Sequence, residues 1–287
     1  MPEGHVIHGL ARDLRRAFPK GRALKASSPQ GRFSSSAALI DGLPLESADA
    51  VGKHLFLTFD TGRPERVVWI HLGLIGKFDI HPLAEPVGKV RLRLTDGITA
   101  ADLHGPQWCR LCTEEDAAEA LKKQGADPLG EKERNEEAAG RALKTVSRSK
   151  KAIGSLLLRQ DLFAGVGNIF RAEVLFRRHI HPAQPGNTLT DAELDAMWED
   201  LVFLMHVALD HGQIDTVEPE HTPEAMGREP RVDAHGGGVY VYRRAGQACY
   251  VCGSRISRET VEGRNLFWCP GCQKRRRRKA RAHAYRA

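Results

Sequence analysis

The chain has 287 residues, with 43 Lys and Arg against 36 Asp and Glu, a formal net charge of +7. That length allows two domains with full cores, and the basic balance favours a polyanionic partner. Residues 1–20 carry charges throughout and no run of about 18 uncharged apolar residues exists, so neither a secretory leader nor a transmembrane helix is expected and the chain reads as cytoplasmic. The N-terminus comes first. Pro2 follows the initiator methionine, a good context for methionine removal, and Glu3 puts a carboxylate beside the amine so exposed. An α-amine has a pKa near ~8 against ~10.4 for lysine, so far more of it is neutral and nucleophilic at neutral pH. Such amines form Schiff bases with carbonyl carbons, and a proline adduct is an obligatory cation, an electron sink. Taken alone, Met1-Pro2-Glu3 is also an ordinary tolerated terminus.

Val6, Ile7, Leu10, Leu14 and Phe18 recur at helical spacing over 4–18, which predicts an amphipathic helix. Short β patterns follow. Leu55, Leu57 and Phe59 alternate, residues 67–70 form a compact apolar run, and Val90, Leu92 and Leu94 alternate with Arg91 and Arg93. Several such strands predict a sandwich or barrel. Residues 113–140 turn acidic and alanine-rich, read as a short helix and then a linker.

From 141 the pattern is helical. One helix is expected around Ile153, Leu156 and Leu157 up to Asp161, and another over Asn168 to Arg178. Thr190 and Glu193 form a capping-box signature for a third helix that stops at Gly212. Residues 212–238 hold almost no apolar material and read as a long loop. Gly165 and Gly167 permit close backbone approach. Asn168 is placed as an N-cap, where a helix terminus can bind phosphate. Arg148, Lys150 and Lys151 add positive charge upstream. A plain helix–helix turn would look the same.

All six cysteines fall in Cys-x-x-Cys pairs. Cys249, Cys252, Cys269 and Cys272 have the two-pair spacing of a single tetrahedral zinc ion. Cys109 and Cys112 have no partner pair nearby and read as ordinary thiols. Residues 274–279 are all Lys or Arg, a phosphate-tracking arm or a solvated tail.

The Met-Pro-Glu-Gly start, the Gly165–Ile169 helix junction and a Cys₄ finger ending Cys269-Pro-Gly-Cys-Gln273 resemble the formamidopyrimidine-DNA glycosylase / endonuclease VIII family. The resemblance spans residues 2 to about 274. It implies an α+β multidomain chain: an N-terminal β-sandwich preceded by a helix, a C-terminal helical domain with a helix–two-turn–helix motif, and a Cys₄ zinc-finger β-hairpin. The expected boundaries are 1–125 for the catalytic sandwich, 126–140 for the linker, 141–245 for the helical domain, 246–274 for the finger and 275–287 for a disordered basic tail.

The resemblance further implies a base-excision-repair glycosylase with lyase activity that flips a damaged base out of duplex DNA. Pro2 would attack C1′, Glu3 would handle protons, and Lys53 would bind a flanking phosphate and lower the proline pKa. Asn168 and Arg264 would grip phosphates, with Lys151 adding charge, and Leu74 would fill the void left by the flipped base. One structural zinc ion is implied, with no membrane, a monomeric state, and association with the nucleoid when acting on DNA. The family's purine branch carries an Arg-Arg-Phe-Gly segment where this chain has His104-Gly-Pro-Gln-Trp108. That places the chain nearer the endonuclease VIII branch, whose substrates are mainly oxidised pyrimidines. Gln107 and Trp108 are candidate substitutes at that loop. The alternatives are the same chemistry on oxidised purines and a non-catalytic DNA-binding relative. Lesion choice depends on pocket shape and the 212–238 loop.

Overall fold

Helix α1 runs over Gly4–Ala17 and buries Ile7, Ala11 and Leu14, followed by Phe18. Ile7, Leu14 and Phe18 belong to the face predicted from the spacing, whose Val6 and Leu10 are half-buried, and each large side chain so buried contributes about 1.5–3 kcal/mol. In this computed structural model, which describes residues 2–232 and 237–276 (and all their side chains except those of 132–134), the chain divides into two compact units at Gln124/Gly125.

The first unit is antiparallel. After β1 (Ala23–Ser27) and the short helix α2 (Ser34–Ile40) come β2 (Leu43–Val51), β3 (His54–Phe59), β4 (Glu65–His71), β5 (Lys77–Pro82), β6 (Val90–Thr95), β7 (Thr99–His104) and β8 (Trp108–Thr113). The strand order is β5-β7-β6-β1-β2-β3-β4-β8. Among the described residues the two halves are hydrogen-bonded to each other only where β1 pairs with β2, at Ala23 with Pro44 and Leu24 with Leu43. One apolar cluster draws on both halves, from Leu92, Leu94 and Leu103 to Leu55, Leu57 and Val68, with Ile7 and Leu14 of α1. The halves therefore face each other across one core, the sandwich expected from the strand patterns. Helix α3 (Glu114–Lys122) starts with a capping box from Thr113 and Asp116. Its Ala117 covers Phe56 and Val67 on the outer face.

The second unit opens with α4 (Lys132–Ser147), which begins inside the stretch read as a linker. Charged residues obscured a helical stripe: Ala139, Ala142, Leu143 and Val146 are all buried, at i, i+3, i+4 and i+7. The helix predicted up to Asp161 is shorter than expected. Only α5 (Ile153–Leu156) is helical. Beyond it Gln160 ties the turn, donating to the carbonyls of Leu158 and Val166 and accepting from the Gly165 N–H. These local bonds replace helix continuation. Gly165 has φ +83°, which a side chain would strain.

Helix α6 (Asn168–Arg177) is buried along almost its whole length, and α7 (Asp191–His211) packs on it. Thr190 and Glu193 form the predicted capping box, and Gly212 ends the helix in the left-handed conformation. The 212–238 loop is more anchored than its composition suggested. Ile214 and Thr216 are buried, and a 3₁₀ turn at Pro219–His221 and the short helix α8 (Pro223–Met226) lie within it. Two strands, β9 (Ser257–Val261) and β10 (Arg264–Trp268), form the finger hairpin. Cys249, Phe267 and Cys269 join the same core as α4 to α7. Gln273 ties the finger's end down, donating to the Ile180 carbonyl and accepting from the Cys269 N–H. The segment read as a tail from 275 starts docked: the Arg276 N–H donates to Gln184 and its guanidinium pairs with Glu193 at 2.6 Å. Residues 277–287 lie outside the described residues. Among the described residues no helix is long and apolar enough to cross a membrane.

Candidate functional site

In the first unit, Glu3 is the N-cap residue of α1 and is fully buried, with Pro2 half-buried ahead of it. Lys53 occupies the two-residue turn between β2 and β3, where Gly52 supplies φ +58° and Val51 pairs with His54. Such a turn suits the twist of the flanking strands. Helix α1 packs on both strands of this hairpin. The α1 N-terminus and Lys53 thus belong to elements built on each other.

Around Lys53 lies a group that sequence reasoning missed. The His54 and His71 rings lie 5.1 Å apart, and His71 stacks on Trp108 at 4.5 Å. Trp69 Nε1–H donates to His54 Nδ1 at 3.0 Å. Burial first, then His71 and the Lys53 ammonium, lower the His54 pKa to about 4. Burial and Lys53 also lower that of His71. The strand register pairs His54 with His71 and His71 with Trp108. Reading across strands rather than along them would have found this cluster.

After His71 the chain turns. Gly73 N–H donates to His71 Nδ1, and the Gly76 N–H reaches back to Leu72 O. Gly73 has φ +70°, and a Cβ there would lie 2.9 Å from the Cβ of Gln107. Leu74 and Ile75, at the tip, are 70% and 86% exposed. A pair of large apolar side chains in water at a tight turn is costly unless it has a partner. Gln107 is packed against this turn, and its N–H donates to His71 O.

In the second unit, Gly167 and not Asn168 is the N-cap of α6, and no side chain caps the helix. Asn168 is the first helical residue, where its side chain turns aside. Its Nδ2 donates to Asn265 O at 2.8 Å and its Oδ1 accepts from Arg171, which itself donates to Asn265 O at 3.0 Å. Arg264, next in the chain to Asn265, is exposed at the end of a hairpin turn whose Glu262 and Gly263 both have positive φ. The structure thus brings Asn168 and the Arg264 strand together. Lys151 is exposed between α4 and α5, its carbonyl held by the Gly186 N–H.

The Sγ atoms of Cys249, Cys252, Cys269 and Cys272 all lie within 4.8 Å of one another. The Cys249–Cys272 and Cys252–Cys269 pairs are 3.8 and 3.4 Å apart. Thiolates at about 2.3 Å from one tetrahedral ion sit about 3.8 Å apart, so the residues fit a metal. Gly271 is required there, since a Cβ would fall 2.7 Å from Cys252 Sγ. Hydrogen bonds from Ser254 lower the Cys252 thiol to about 6. Cys109 and Cys112 are separate from this cluster and raised by burial to about 12 and 11. They are protonated, unreactive thiols at neutral pH.

Residues 1–104 match the family model of the formamidopyrimidine-DNA glycosylase N-terminal domain, and residues 125–219 that of its helix–two-turn–helix domain. The chain belongs to the formamidopyrimidine-DNA glycosylase / endonuclease VIII family of base-excision-repair DNA glycosylases. Within it, the chain is 43% identical over 282 residues to endonuclease 8 1 of Mycobacterium tuberculosis, covering 95% of this chain and all of that one. It is 30% identical to the formamidopyrimidine-DNA glycosylase of Lactiplantibacillus plantarum, over 79% of this chain and 80% of that one. Among solved structures, the MutM (Fpg) protein of Thermus thermophilus has a TM-score of 0.72 at 26% identity, covering 96% of this chain and 99% of that one. The Lactococcus lactis Fpg complex with DNA containing an abasic site has the same fold, with a TM-score of 0.76 at 22% identity over 95% of this chain and all of that one.

Proposed function

We propose that the protein is a bifunctional DNA glycosylase and AP lyase that acts as a monomer on oxidised pyrimidines in duplex DNA. The observation that carries this reading is the 43% identity, along 95% of the chain, to a relative named endonuclease 8 1. Pro2, made the terminus by loss of Met1, attacks C1′ of the damaged nucleoside with its lone pair. The bond from C1′ to the base breaks, and the base leaves with the electron pair and takes a proton from water. The amine loses its proton and the sugar ring opens to an iminium. Glu3 gives the ring oxygen its proton and takes up the one released. The iminium charge acidifies C2′, whose proton leaves as the 3′ phosphate is expelled. A second elimination expels the 5′ phosphate, and water hydrolyses the remaining Schiff base.

Lys53 binds a phosphate beside the lesion, and its charge favours the neutral form of the Pro2 amine. Asn168, Arg264 and Lys151 hold phosphates, which bends the duplex and reduces the cost of flipping. Leu74, with Ile75 beside it, fills the vacated stack, and its exposure supports that role. Residues 217–231 help to shape the pocket for the base. Cys249, Cys252, Cys269 and Cys272 hold one zinc ion, whose contribution is to cross-link the finger, since protein sulfur fills all four positions.

Borohydride trapping on an abasic-site duplex tests the chemistry. Wild type is expected to form a covalent adduct and Pro2→Gly none; equal trapping by both would overturn the proline mechanism. Excision from duplexes carrying thymine glycol, 5-hydroxycytosine or 8-oxoguanine tests the lesion. Removal of 8-oxoguanine as fast as the pyrimidines would favour the purine reading, which the 30% identity to a formamidopyrimidine-DNA glycosylase keeps in view.

A further inference from the structure

Tyr250 lies inside the first cysteine pair of the Cys₄ set, between Cys249 and Cys252, and two guanidiniums lie against its ring. Arg244 Cζ is 3.4 Å from the ring centroid and Arg228 Cζ is 4.2 Å from it. The two arginines differ in kind. Arg244 is buried and fixed beside the finger, donating to Ala248 O at 2.7 Å and to Gln247 at 3.1 Å. Arg228 comes from the 212–238 loop, just past α8, and also donates to His221 O at 2.9 Å. Two like charges on one ring repel each other, so the ring and the desolvated geometry must hold them.

Other described parts of the loop are pinned elsewhere. Its neck is closed by Thr216 N–H to Gly238 O at 2.9 Å, and there a Cβ on Gly237 would strike the Ile214 carbonyl. Its middle hangs on the Tyr240 hydroxyl, which accepts from the Glu218 N–H at 2.9 Å and lies 3.0 Å from His221 Nδ1. Beyond α8, the contact between Arg228 and Tyr250 joins the loop to the cysteine knuckle.

We propose that Arg228 and Tyr250 are positioning residues that make the metal site hold the shape of residues 217–231, and through them the choice of lesion. Metal binding fixes the turn from Cys249 to Cys252 and therefore the Tyr250 ring, and the ring fixes Arg228. The link to lesion choice rests on the function proposed above; the link from metal site to loop does not.

The test uses the full-length, metal-loaded chain and its Arg228→Ala and Tyr250→Phe variants, with metal content measured for each. Amide hydrogen exchange is followed in residues 217–231 and in the 257–268 hairpin. Arg228→Ala is expected to retain its metal and to raise exchange in 217–231 at least about tenfold, the loss of the cation–π contact together with the hydrogen bond to His221 O, with the hairpin unchanged. Tyr250→Phe keeps the ring and should match wild type. Chelation of wild type should raise exchange in 217–231 at least as much. Unchanged loop exchange in Arg228→Ala, or in chelated wild type, would overturn the coupling.

The second readout compares 5-hydroxycytosine excision with abasic-site trapping, which needs no base in the pocket. Arg228→Ala should lose about tenfold in excision with trapping kept within about twofold. An equal loss in both would make Arg228 a general DNA contact and overturn the assignment to lesion choice. Failure of wild type to trap at all would instead sink the reaction assigned above, leaving the exchange result to decide the coupling.

Discussion

The side-chain amide of Asn168 donates a 2.8 Å hydrogen bond to the main-chain carbonyl of Asn265, the residue after Arg264. The start of α6 and the finger hairpin are thereby locked, and Arg171 doubles the lock on the same oxygen. The two residues then separate by experiment. Asn168→Asp keeps the size but removes the donor, which sets a carboxylate against a carbonyl. It should cost about 1–3 kcal/mol and loosen exchange protection in 257–268. Arg264 is exposed. Arg264→Ala should leave stability within about 0.5 kcal/mol of wild type while borohydride trapping falls at least about tenfold. Urea unfolding and trapping on one set of samples check both; a normal trapping yield for Arg264→Ala would remove it from the phosphate grip.

The exposed pair Leu74 and Ile75 gives the opposite signature to a core residue. Leu74→Ala removes a side chain that is 70% exposed, so stability should stay within about 0.5 kcal/mol. Excision from duplex DNA should slow about tenfold or more, and excision from single-stranded DNA, where no stack needs filling, should change little. Gly73→Ala acts differently. It places a Cβ 2.9 Å from Gln107 at φ +70°, so it should destabilise the first unit by about 1–3 kcal/mol. Thermal unfolding of the two variants side by side distinguishes wedge from scaffold.

Much of this was legible in the chain. Helix α1, the capping box at Thr190 and the Cys₄ set follow from spacing, because each depends on residues near one another in sequence. The failures share one cause. Helix α4 was hidden because Glu131 to Asn135 resemble a solvated linker, although Ala139, Ala142, Leu143 and Val146 carry the buried stripe. The sequence places Asn168 at a local cap, yet its partner Asn265 lies on the finger hairpin. His54, His71 and Trp108 look unrelated until strand register sets them side by side. Long-range pairing is what a single sequence conceals.

His54 sets a pH limit on the first unit. Its folded pKa is about 4, against 6.5 ordinarily. The unfolded chain therefore binds a proton more readily between those values. Stability from this group is fully present above pH 6.5 and is lost as pH falls towards 4, by about 2 kcal/mol after allowance for partial exposure. Urea midpoints at pH 7.0, 5.5 and 4.5 should fall more steeply for wild type than for His54→Gln. Parallel slopes would show that the neutral imidazole is not the group being titrated.

Thiol reactivity should sort the six cysteines. In metal-free protein Cys252, lowered to about 6, is a thiolate at neutral pH and exposed. Cys109 and Cys112, at about 12 and 11, are thiols. Since the thiolate is the nucleophile, iodoacetamide should label Cys252 first after chelation. Metal loading should suppress that labelling, while Cys109 and Cys112 stay slow in both states. Mass spectrometry of peptides gives the order. Labelling of Cys252 that is indifferent to metal would show that the four sulfurs do not bind it.

Glu173 ties the neck of the 212–238 loop to α6. It is fully buried. One carboxylate oxygen accepts from the N–H groups of Val241 and Tyr242 at 2.9 and 2.8 Å. The other accepts from Tyr240 N–H and the Thr216 hydroxyl, both at 2.7 Å. A glutamine has the same shape but only one oxygen, so its amide must face at least one N–H. Glu173→Gln should therefore cost about 1–3 kcal/mol and Glu173→Ala, which strands every donor, about 3–5 kcal/mol. Thr216→Val removes one hydroxyl and should cost about 1 kcal/mol. The order Ala, Gln, Val in urea midpoints checks the clasp. A Gln variant as stable as wild type would mean that the backbone near Tyr240 is held by packing against Phe176 and not by the carboxylate.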